Sequence, residues 1–321
     1  MCKGLLIGID GGGTHSTAVA AWPDGRVAAI AYGGGLNYHN DGVDTVRRRL
    51  DDMVQELCAK ANAPLERVCV GMSALDGPAD DKTHALFSGG AISAGRLDLQ
   101  SDAYIALMGF TRGMPGMIVI CGTGSMLLLL DEKGNQHISG GWGYLLGDAG
   151  SGYTLAREAL LCIIDEYEGL GKKTVLTQCA LEYFAVESPR QIIDKVYAPG
   201  FTPDQLAGFA RHVLREAENG DSVAASVLNH AMPKLAAQAA QLLQKSPNVN
   251  QVGLYGGIFA HSQAARDCFT ATLKQLAAHA QICSPDYPPE LGAIIHLMRK
   301  EGLLTGSALA ALIDTYKEVK A

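Results

Sequence analysis

Residues 8–16 read Gly8-Ile9-Asp10-Gly11-Gly12-Gly13-Thr14-His15-Ser16 and follow a short apolar run that begins at Gly4. The apolar run predicts a buried strand ending at Asp10, and residues 16–22 predict a second strand. Three consecutive glycines in the turn between two strands expose backbone N–H groups with no side chain to block approach, which favours phosphate binding by Gly11, Gly12, Gly13 and Thr14. The alternative is a tight turn with a solvated aspartate. The segment is not a P-loop, because G-x-x-x-x-G-K-[ST] is absent and the glycines lead into a strand.

The same order of strands and glycines occurs a second time. Pro23-Asp24-Gly25 turns the first two strands into a third, which completes a meander. Later, an apolar segment at 117–121 is followed by Gly122-Thr123-Gly124-Ser125, a strand at 126–131 and a segment at 136–139. This internal repeat predicts two duplicated lobes. Two such loops facing each other across a cleft could hold the β- and γ-phosphates of a nucleotide from opposite sides.

The rest of the chain alternates strands and helices, which predicts an α/β fold. A helix with apolar spacing from Val43 to Leu57 is expected behind a cap at Asn40 or Asp41, and Thr202-Pro203 begins another with a capping box. At 321 residues, two lobes with a cleft between them are expected. We place the lobes at 1–115 and 116–321, with a helical insertion in the second lobe and the last helix packing back on the first. Further helices are predicted at 153–168, 172–184, 221–245 and about 303–319.

Composition limits the partners. The formal net charge of −7 provides no basic field for nucleic acid or an anionic membrane, so a phosphate ligand must be held by local geometry. No apolar stretch approaches the roughly 20 residues that span a bilayer, and the N-terminus is typical of a strand, not of a signal peptide. Eight cysteines without a C-x-x-C pair are interpreted as reduced core residues. These features predict a cytoplasmic protein that binds small molecules.

A third motif is richer in glycine than either loop. Residues 140–152 read Gly140-Gly141-Trp142-Gly143-Tyr144-Leu145-Leu146-Gly147-Asp148-Ala149-Gly150-Ser151-Gly152 and end at a predicted helix, whose N-terminus favours anions. An indole flanked by bare backbone suits the apolar face of a pyranose, and Asp148 can accept hydrogen bonds from sugar hydroxyls. The alternative is an irregular loop packed by a core tryptophan.

With these three motifs in order, the chain resembles the N-acetylglucosamine kinase branch of the actin/hexokinase superfamily, often named BadF/BadG/BcrA/BcrD-type ATPases. The resemblance runs from about residue 5 to residue 300, and the segment around Trp142 is its most specific element. It implies a two-lobed actin/hexokinase-like (ribonuclease H-like) ATPase fold and the use of ATP and Mg²⁺. It also implies phosphorylation of an amino sugar, N-acetylglucosamine and/or N-acetylmuramic acid, with O6 as the expected acceptor. The implied role is in amino sugar metabolism and cell wall recycling, and the implied assembly is a homodimer.

The resemblance also implies roles for individual residues. Asp102, in Ser101-Asp102-Ala103 after a strand, matches the family's catalytic aspartate, and Asp10 is expected to orient Mg²⁺ through water. Tyr255-Gly256-Gly257-Ile258-Phe259 matches the adenosine loop, and residues 288–293 match the closing proline-to-Gly-Ala segment. The residues expected to contact sugar are Asn37, Asp102, Thr123, Gly141, Trp142, Gly143 and Asp148, and those expected to contact phosphate include Gly122, Thr123, Gly124 and Ser125.

Two positions depart from the family pattern. His15 stands where lysine or arginine is usual after the phosphate-loop threonine, and Ala149 stands where a polar residue is common. Neither removes a candidate catalytic group, but His15 provides no fixed cation for the phosphate.

The sequence leaves alternatives open for the role of Asp102 and for the function. Asp102 could cap the helix that begins at Ala103 instead of acting as the base. The acceptor could be glucosamine, and a protein of another class with this fold is the ATPase activator of 2-hydroxyacyl-CoA dehydratases, which presents cysteines for an iron–sulfur cluster. A non-catalytic sugar sensor is disfavoured by the acidic charge and by the lack of a helix-turn-helix segment before Gly4.

Overall fold

The computed structural model describes residues 4–75, 77–285 and 287–320 and divides into two compact units. Unit 1 takes in Met1–Pro115 and Ser284–Ala321, and unit 2 takes in Gly116–Cys283. The sequence placed everything after residue 115 in the second lobe except the last helix. In the structure the helix at 289–300 belongs to unit 1 as well, because it packs on the first strand and on the helix at 102–111.

Unit 1 is built on a five-stranded sheet of order β3-β2-β1-β4-β5. The first three strands form the predicted antiparallel meander, and β4 and β5 continue the sheet in parallel with β1. The strands are β1 (Leu5–Gly11), β2 (His15–Ala21), β3 (Val27–Gly34), β4 (Leu65–Met72) and β5 (Leu97–Ser101), and the helices are α1 (Tyr38–Asp41), α2 (Val43–Ala61), α3 (Asp81–Phe87), α4 (Asp102–Thr111), α13 (Pro289–Lys300) and α14 (Gly306–Lys320).

Unit 2 repeats this sheet. Its order is β10-β9-β6-β7-β8, so an antiparallel meander is again followed by two parallel strands on the far side of its first strand. This identity of strand order confirms the internal repeat that the two glycine loops predicted. The strands are β6 (Gly116–Cys121), β7 (Ser125–Leu130), β8 (Gln136–Gly140), β9 (Gln251–Tyr255) and β10 (Gln281–Cys283), and the helices are α5 (Gly152–Tyr167), α6 (Leu176–Phe184), α7 (Ile192–Val196), α8 (Pro203–Ala207), α9 (Ala210–Glu218), α10 (Ser222–Leu243), α11 (Gly257–His261) and α12 (Gln263–Leu276).

Some helix boundaries differ from the sequence predictions. The capping box at Thr202 is confirmed, but α6 begins at Leu176 instead of Lys172. The predicted cap of α2 at Asn40 or Asp41 is wrong, since both residues lie in the short helix α1 and α2 starts after Gly42. Gly42 has a positive φ of 79°, so the chain turns between the two helices where glycine carries little strain.

Helix α13 is held against α4 and the sheet by close backbone contact and by buried polar groups. An ideal Cβ on Gly292 would lie 1.8 Å from the carbonyl oxygen of Ile105, so only glycine allows α13 to approach α4 this closely. Along the same helix, His296 Nδ1 lies 3.1 Å from the hydroxyl of Tyr104, and the ammonium of Lys300 donates to Asp98 at 2.6 Å. These contacts fix the position of α13 against α4 and β5.

The cysteines carry no disulfide among the described residues. Seven are free thiols, of which Cys69, Cys121 and Cys179 are buried and the other four partly buried; Cys2 lies outside the described residues. The expectation of core cysteines therefore holds fully for three of them. Every helix of residues 4–75, 77–285 and 287–320 is too short or too polar to cross a bilayer.

The close packing of α13 on α4 at Gly292 can be tested by adding one methyl group, in the variant Gly292→Ala. Alanine normally favours a helix over glycine by about 1 kcal/mol, but here its Cβ collides with backbone that cannot rotate away. We expect Gly292→Ala to lower the free energy of unfolding by about 1–3 kcal/mol or more, measured by urea denaturation. Gly306→Ala is the matched control, because a Cβ there meets nothing within 4 Å. Equal stability of the two variants would contradict the close crossing.

Candidate active site

The first glycine loop leaves backbone donors open to solvent. No hydrogen bond among the described residues uses the N–H groups of Gly12, Gly13 or Thr14, and the tip of the loop is exposed. The carbonyl oxygens point the other way, with Gly12 O accepting from Leu36 N at 2.9 Å. Unpaired N–H groups on one side of a turn form a concavity suited to an anion. His15 lies beside it, exposed, with Nδ1 2.9 Å from the Thr14 hydroxyl.

Asp10 and Asp102 lie at the same edge of the unit 1 sheet. Strands β1, β4 and β5 are parallel, so their carboxyl ends meet where ligands usually bind in α/β sheets. Asp10 pairs in register with Gly71, and an ideal Cβ on Gly71 would lie 3.3 Å from the Cα of Asp102. Burial, then the Glu290 carboxylate, then the Asp102 carboxylate raise the pKa of Asp10 to about 7. Carboxylates crowded in this way favour a bound cation.

The helix-cap alternative for Asp102 is wrong. Ser101 is the N-cap of α4, and its hydroxyl accepts from Tyr104 N at 3.1 Å, the bond that a capping residue makes. Asp102 is the first helical residue, and its carboxylate accepts from the adjacent Ala103 N at 2.6 Å, which is not a capping bond. Asp102 is partly exposed, where β5 ends.

Asn37 has a structural role that the sequence analysis did not predict. It is the N-cap of α1, and its side-chain oxygen accepts from His39 N at 3.1 Å. A sugar hydroxyl can therefore use the amide N–H groups of Asn37 as donors without breaking the cap.

In unit 2 the second glycine loop is joined to the start of α5. Gly152 N donates to Gly122 O at 2.7 Å, and Tyr153 N donates to Thr123 O at 3.1 Å. The hydroxyl of Ser125 donates to Ala149 O at 2.8 Å, so it is engaged in holding the two segments together. No hydrogen bond of the described residues uses the N–H groups of Thr123 or Gly124, which remain open for an anion, as in the first loop.

Asp148 lies directly over this loop in a strained conformation. Its φ is 61°, unusual for a residue other than glycine, and it is buried. An ideal Cβ on Gly124 would be 2.8 Å from Asp148 Oδ2, so the loop needs glycine there to admit the carboxylate. The backbone is fixed by Ser151 N at 3.1 Å and by the Thr154 hydroxyl at 2.7 Å, both donating to Asp148 O. Strain supported in this way is typical of functional sites.

Trp142 is presented to solvent. Its side chain is 74% exposed, which excludes the alternative of a core tryptophan. Gly141 and Gly143 on either side have φ of 71° and 77°, and Gly141 N donates to Ser125 O at 3.1 Å, which ties the segment to the second glycine loop. Tyr144 packs on Tyr153 with ring centroids 4.8 Å apart, so the loop also rests on α5.

A cavity of about 670 Å³ opens beside the second glycine loop. Its size fits a nucleotide-sized ligand. Gly257 of the predicted adenosine loop lines it together with Gly122 and Thr123, whereas Gly256 lies behind, with φ of 93° and its backbone against Cys121. Ile258 of the same predicted loop and Gly152 at the end of the glycine-rich motif also line it. The remaining walls come from residues that the sequence analysis missed, Asp204, Ala207, Gly208, Ala210, Arg211, Leu214, Arg215, Glu218 and His261.

Most of these missed residues belong to α8 and α9. Arg211 and Arg215 are four residues apart and so share a face of α9, a spacing visible in the sequence. What the sequence did not contain was the orientation of that face, which depends on how α9 packs on α5 and α10.

Comparison with known proteins gives consistent matches. The sequence pattern of the BadF/BadG/BcrA/BcrD ATPase family matches residues 7–296. The N-acetylmuramic acid/N-acetylglucosamine kinase of Clostridium acetobutylicum is 30% identical over 233 residues, 72% of this chain and 76% of that protein. A candidate N-acetylglucosamine kinase from Chromobacterium violaceum superimposes with a TM-score of 0.70 at 27% identity, over 92% of this chain and 99% of that one.

More distant structures establish the fold. A ROK family glucokinase from Streptomyces griseus, solved with glucose and AMPPNP, has a TM-score of 0.56 at 16% identity and covers 92% of this chain and 100% of its own. The fold is therefore the actin/hexokinase-like α/β fold that the family resemblance implied.

The crowding around Asp10 predicts an inverted pH dependence of stability. A carboxyl whose pKa rises on folding binds more protons in the folded state, so its contribution to stability falls as pH rises from about 4 to about 7. We expect Asp10→Asn to be more stable than wild type at pH 8 in EDTA, by on the order of 1–3 kcal/mol, with the difference shrinking toward pH 4.5. Urea denaturation at the two pH values measures this. A variant less stable than wild type at pH 8 would contradict the assigned repulsion.

Proposed function

Because the chain belongs to the BadF/BadG/BcrA/BcrD ATPase family, we propose that it transfers the γ-phosphoryl group of ATP to a hydroxyl of an amino sugar, N-acetylglucosamine or N-acetylmuramic acid. The observation that carries this proposal is a pair of glycine loops with open N–H groups, one at the edge that holds Asp10 and Asp102 and one at the cavity that Gly257 lines. The kinase activity of the Clostridium relative supports the amino sugar as acceptor.

The nucleotide would be held mainly by backbone. The N–H groups of Gly11 to Thr14 and of Thr123 to Ser125 are assigned to phosphoryl oxygens, where preorganised donors stabilise developing charge. The N–H group of Gly122 is left out of this set, because it donates to Gly124 O at 2.9 Å. The cavity beside Gly257 is assigned to the adenosine, with Gly256 shaping it from behind. His15 replaces the family's fixed cation, so the neutral N–H groups carry more of the phosphate binding here.

The carboxylates divide the remaining tasks. Asp10, in a crowded acidic environment, fits the binding of Mg²⁺ through water, and the ion when bound would neutralise phosphate charge. Asp102 is assigned as the general base that accepts the proton of the attacking hydroxyl, which we take to be O6. Its position at the end of β5, with the capping bond made by Ser101, supports this role.

Sugar recognition is assigned to the residues that the sequence predicted to contact it. Trp142 offers an exposed indole face to the apolar side of a pyranose, and Asp148 offers an oriented acceptor. Gly141 and Gly143 leave space on either side of the indole. Asn37 and Thr123 complete the proposed set.

The dehydratase-activator alternative finds no support among the compared proteins. The thiol of Cys121 donates to Gly150 O at 3.2 Å inside unit 2, and burial raises its pKa. Cys69 is fully buried in unit 1. Neither thiol is exposed as a ligand of a cluster shared between subunits would be.

A coupled assay tests the activity. We expect ATP turnover to require Mg²⁺ and to be stimulated by N-acetylglucosamine or N-acetylmuramic acid, with glucosamine as the alternative acceptor. ADP release and phosphosugar formation are measured over these three sugars, with glucose as a control. Rapid ATP hydrolysis that no amino sugar stimulates would reject the kinase function.

Replacing one carboxylate separates base catalysis from structure. Asn can hydrogen-bond a sugar hydroxyl but cannot accept its proton, so Asp102→Asn should lower kcat by about 10²- to 10⁴-fold with little change in sugar affinity. Its stability should stay near wild type because Ser101 makes the cap. Ser101→Ala is the matched control and should lose about 0.5–2 kcal/mol of stability while keeping its turnover. An Asp102→Asn kcat within about threefold of wild type would overturn the assignment.

We also propose that the protein is a cytoplasmic homodimer. An apolar face on α5 and α7 leaves large side chains exposed. Arg157 and Arg190, which are positive, and Glu168, which is negative, line the same face. In a two-fold symmetric dimer, the arginines of one copy could therefore pair with the glutamate of the other. The face residues with exposed side chains are Leu161, Ile164, Tyr167, Ile193 and Tyr197. Free cysteines support a reducing compartment.

Light scattering tests the dimer. We expect wild type to elute as a dimer and Ile164→Glu to be a folded monomer, since a charge would be buried in the interface. Leu276→Glu, at an exposed site on α12, should stay dimeric. A monomeric wild type at tens of micromolar would reject this face as a stable interface.

A further inference from the structure

Glu290 is a buried carboxylate with no part in the chemistry described so far. It lies in the first turn of α13 and is 5% exposed. Burying a carboxylate near other carboxylates is unfavourable unless something compensates for it. The groups that surround Glu290 therefore indicate its role.

The backbone places Glu290 on the face of β1 that carries Asp10. An ideal Cβ on Gly8 would lie 2.3 Å from the carbonyl oxygen of Glu290, so the start of α13 rests directly on Gly8. Gly8 and Asp10 are two residues apart in a strand, so they share a face of the sheet. The Glu290 carboxylate is close enough to act on Asp10 as the larger of its two neighbouring charges.

The side chain of Glu290 is held from the opposite side by the last helix. The hydroxyl of Tyr316 in α14 donates to Glu290 Oε1, and no hydrogen bond among the described residues uses Oε2. Tyr316 is itself buried, and Lys320 Nζ lies 2.8 Å from its hydroxyl and 5.0 Å from the centre of its ring. The carboxylate is thus oriented by a supported donor, with one oxygen left for another partner.

We propose that Glu290 is a positioning residue for the cation of this reaction, and that its carboxylate, oriented by Tyr316, holds the water shell of the Mg²⁺ that Asp10 orients. The proposal rests on the proposed function, because the cation is that of the phosphoryl transfer. It explains why a buried acid is kept beside Asp10: the ion neutralises both carboxylates when it is bound. It also gives α14 a role in the site, although Tyr316 is 214 residues from Asp102 in the sequence.

The test uses Glu290→Gln in the full chain. Gln can still accept from the Tyr316 hydroxyl, so the fold keeps its hydrogen bond while the charge is lost. We expect the affinity for Mn²⁺ in the presence of AMPPNP, measured by electron paramagnetic resonance, to fall by about tenfold or more. The KM for sugar should change much less. Glu318 is an exposed carboxylate on the same helix as Tyr316, so Glu318→Gln is the matched control. It should bind Mn²⁺ as wild type does.

Tyr316→Phe is the second variant and keeps the charge while removing the donor. It should weaken Mn²⁺ binding by a smaller factor than Glu290→Gln, because Glu290 keeps its charge and loses only the hydroxyl that orients it. If Glu290→Gln binds Mn²⁺ as wild type does, or if Tyr316→Phe loses thermal stability without any change in Mn²⁺ affinity, Glu290 is only a structural acid and the proposal is overturned. Wild type that binds no Mn²⁺ with AMPPNP overturns it too. Mn²⁺ binding lowered by both variants in a protein that phosphorylates no amino sugar would support Glu290 and reject the proposed acceptor.

Discussion

The contact of helix α13 with β1 and α4 is the constraint on which unit 1 depends. Gly8 and Gly292 lack side chains where backbone meets backbone, so the start of the helix can lie on the strand that carries Asp10. The same helix is fastened by His296 and Lys300 to α4 and β5, which carry Asp102 at their junction. The packing that holds the unit together therefore also sets the separation of its carboxylates.

In unit 2, a strained residue takes the place of a helix crossing in fixing the site residues. Asp148 adopts a left-handed backbone and rests on Gly124, and the hydrogen bonds between residues 122–125 and 149–153 keep it there. This arrangement fixes the N-terminus of α5 beside a loop with open N–H groups. Backbone dipoles already in place need no reorganisation when charge develops on a phosphoryl group.

The two units share a sheet order and differ in what surrounds the sheet. In unit 1, α13 covers β1 and brings Glu290 toward Asp10, whereas in unit 2 the helices α8 and α9 wall a cavity beside Gly122. Duplication of the meander supplies two phosphate-binding turns. The added helices place the buried acidic groups in unit 1 and the cavity in unit 2.

Strand period, turn residues and motif spacing are local properties of the chain, so the sequence predicted the two meanders, their glycine loops, the strands that end at Asp10 and before Asp102, and the segment around Trp142. Four features became visible only in the folded chain: Ser101 caps α4, Arg211 and Arg215 line a cavity, α13 joins unit 1, and Glu290 accepts a hydrogen bond from Tyr316. Each of these depends on which face of a helix packs against which neighbour. That choice is made by contacts between residues far apart in the chain, and no local pattern records it.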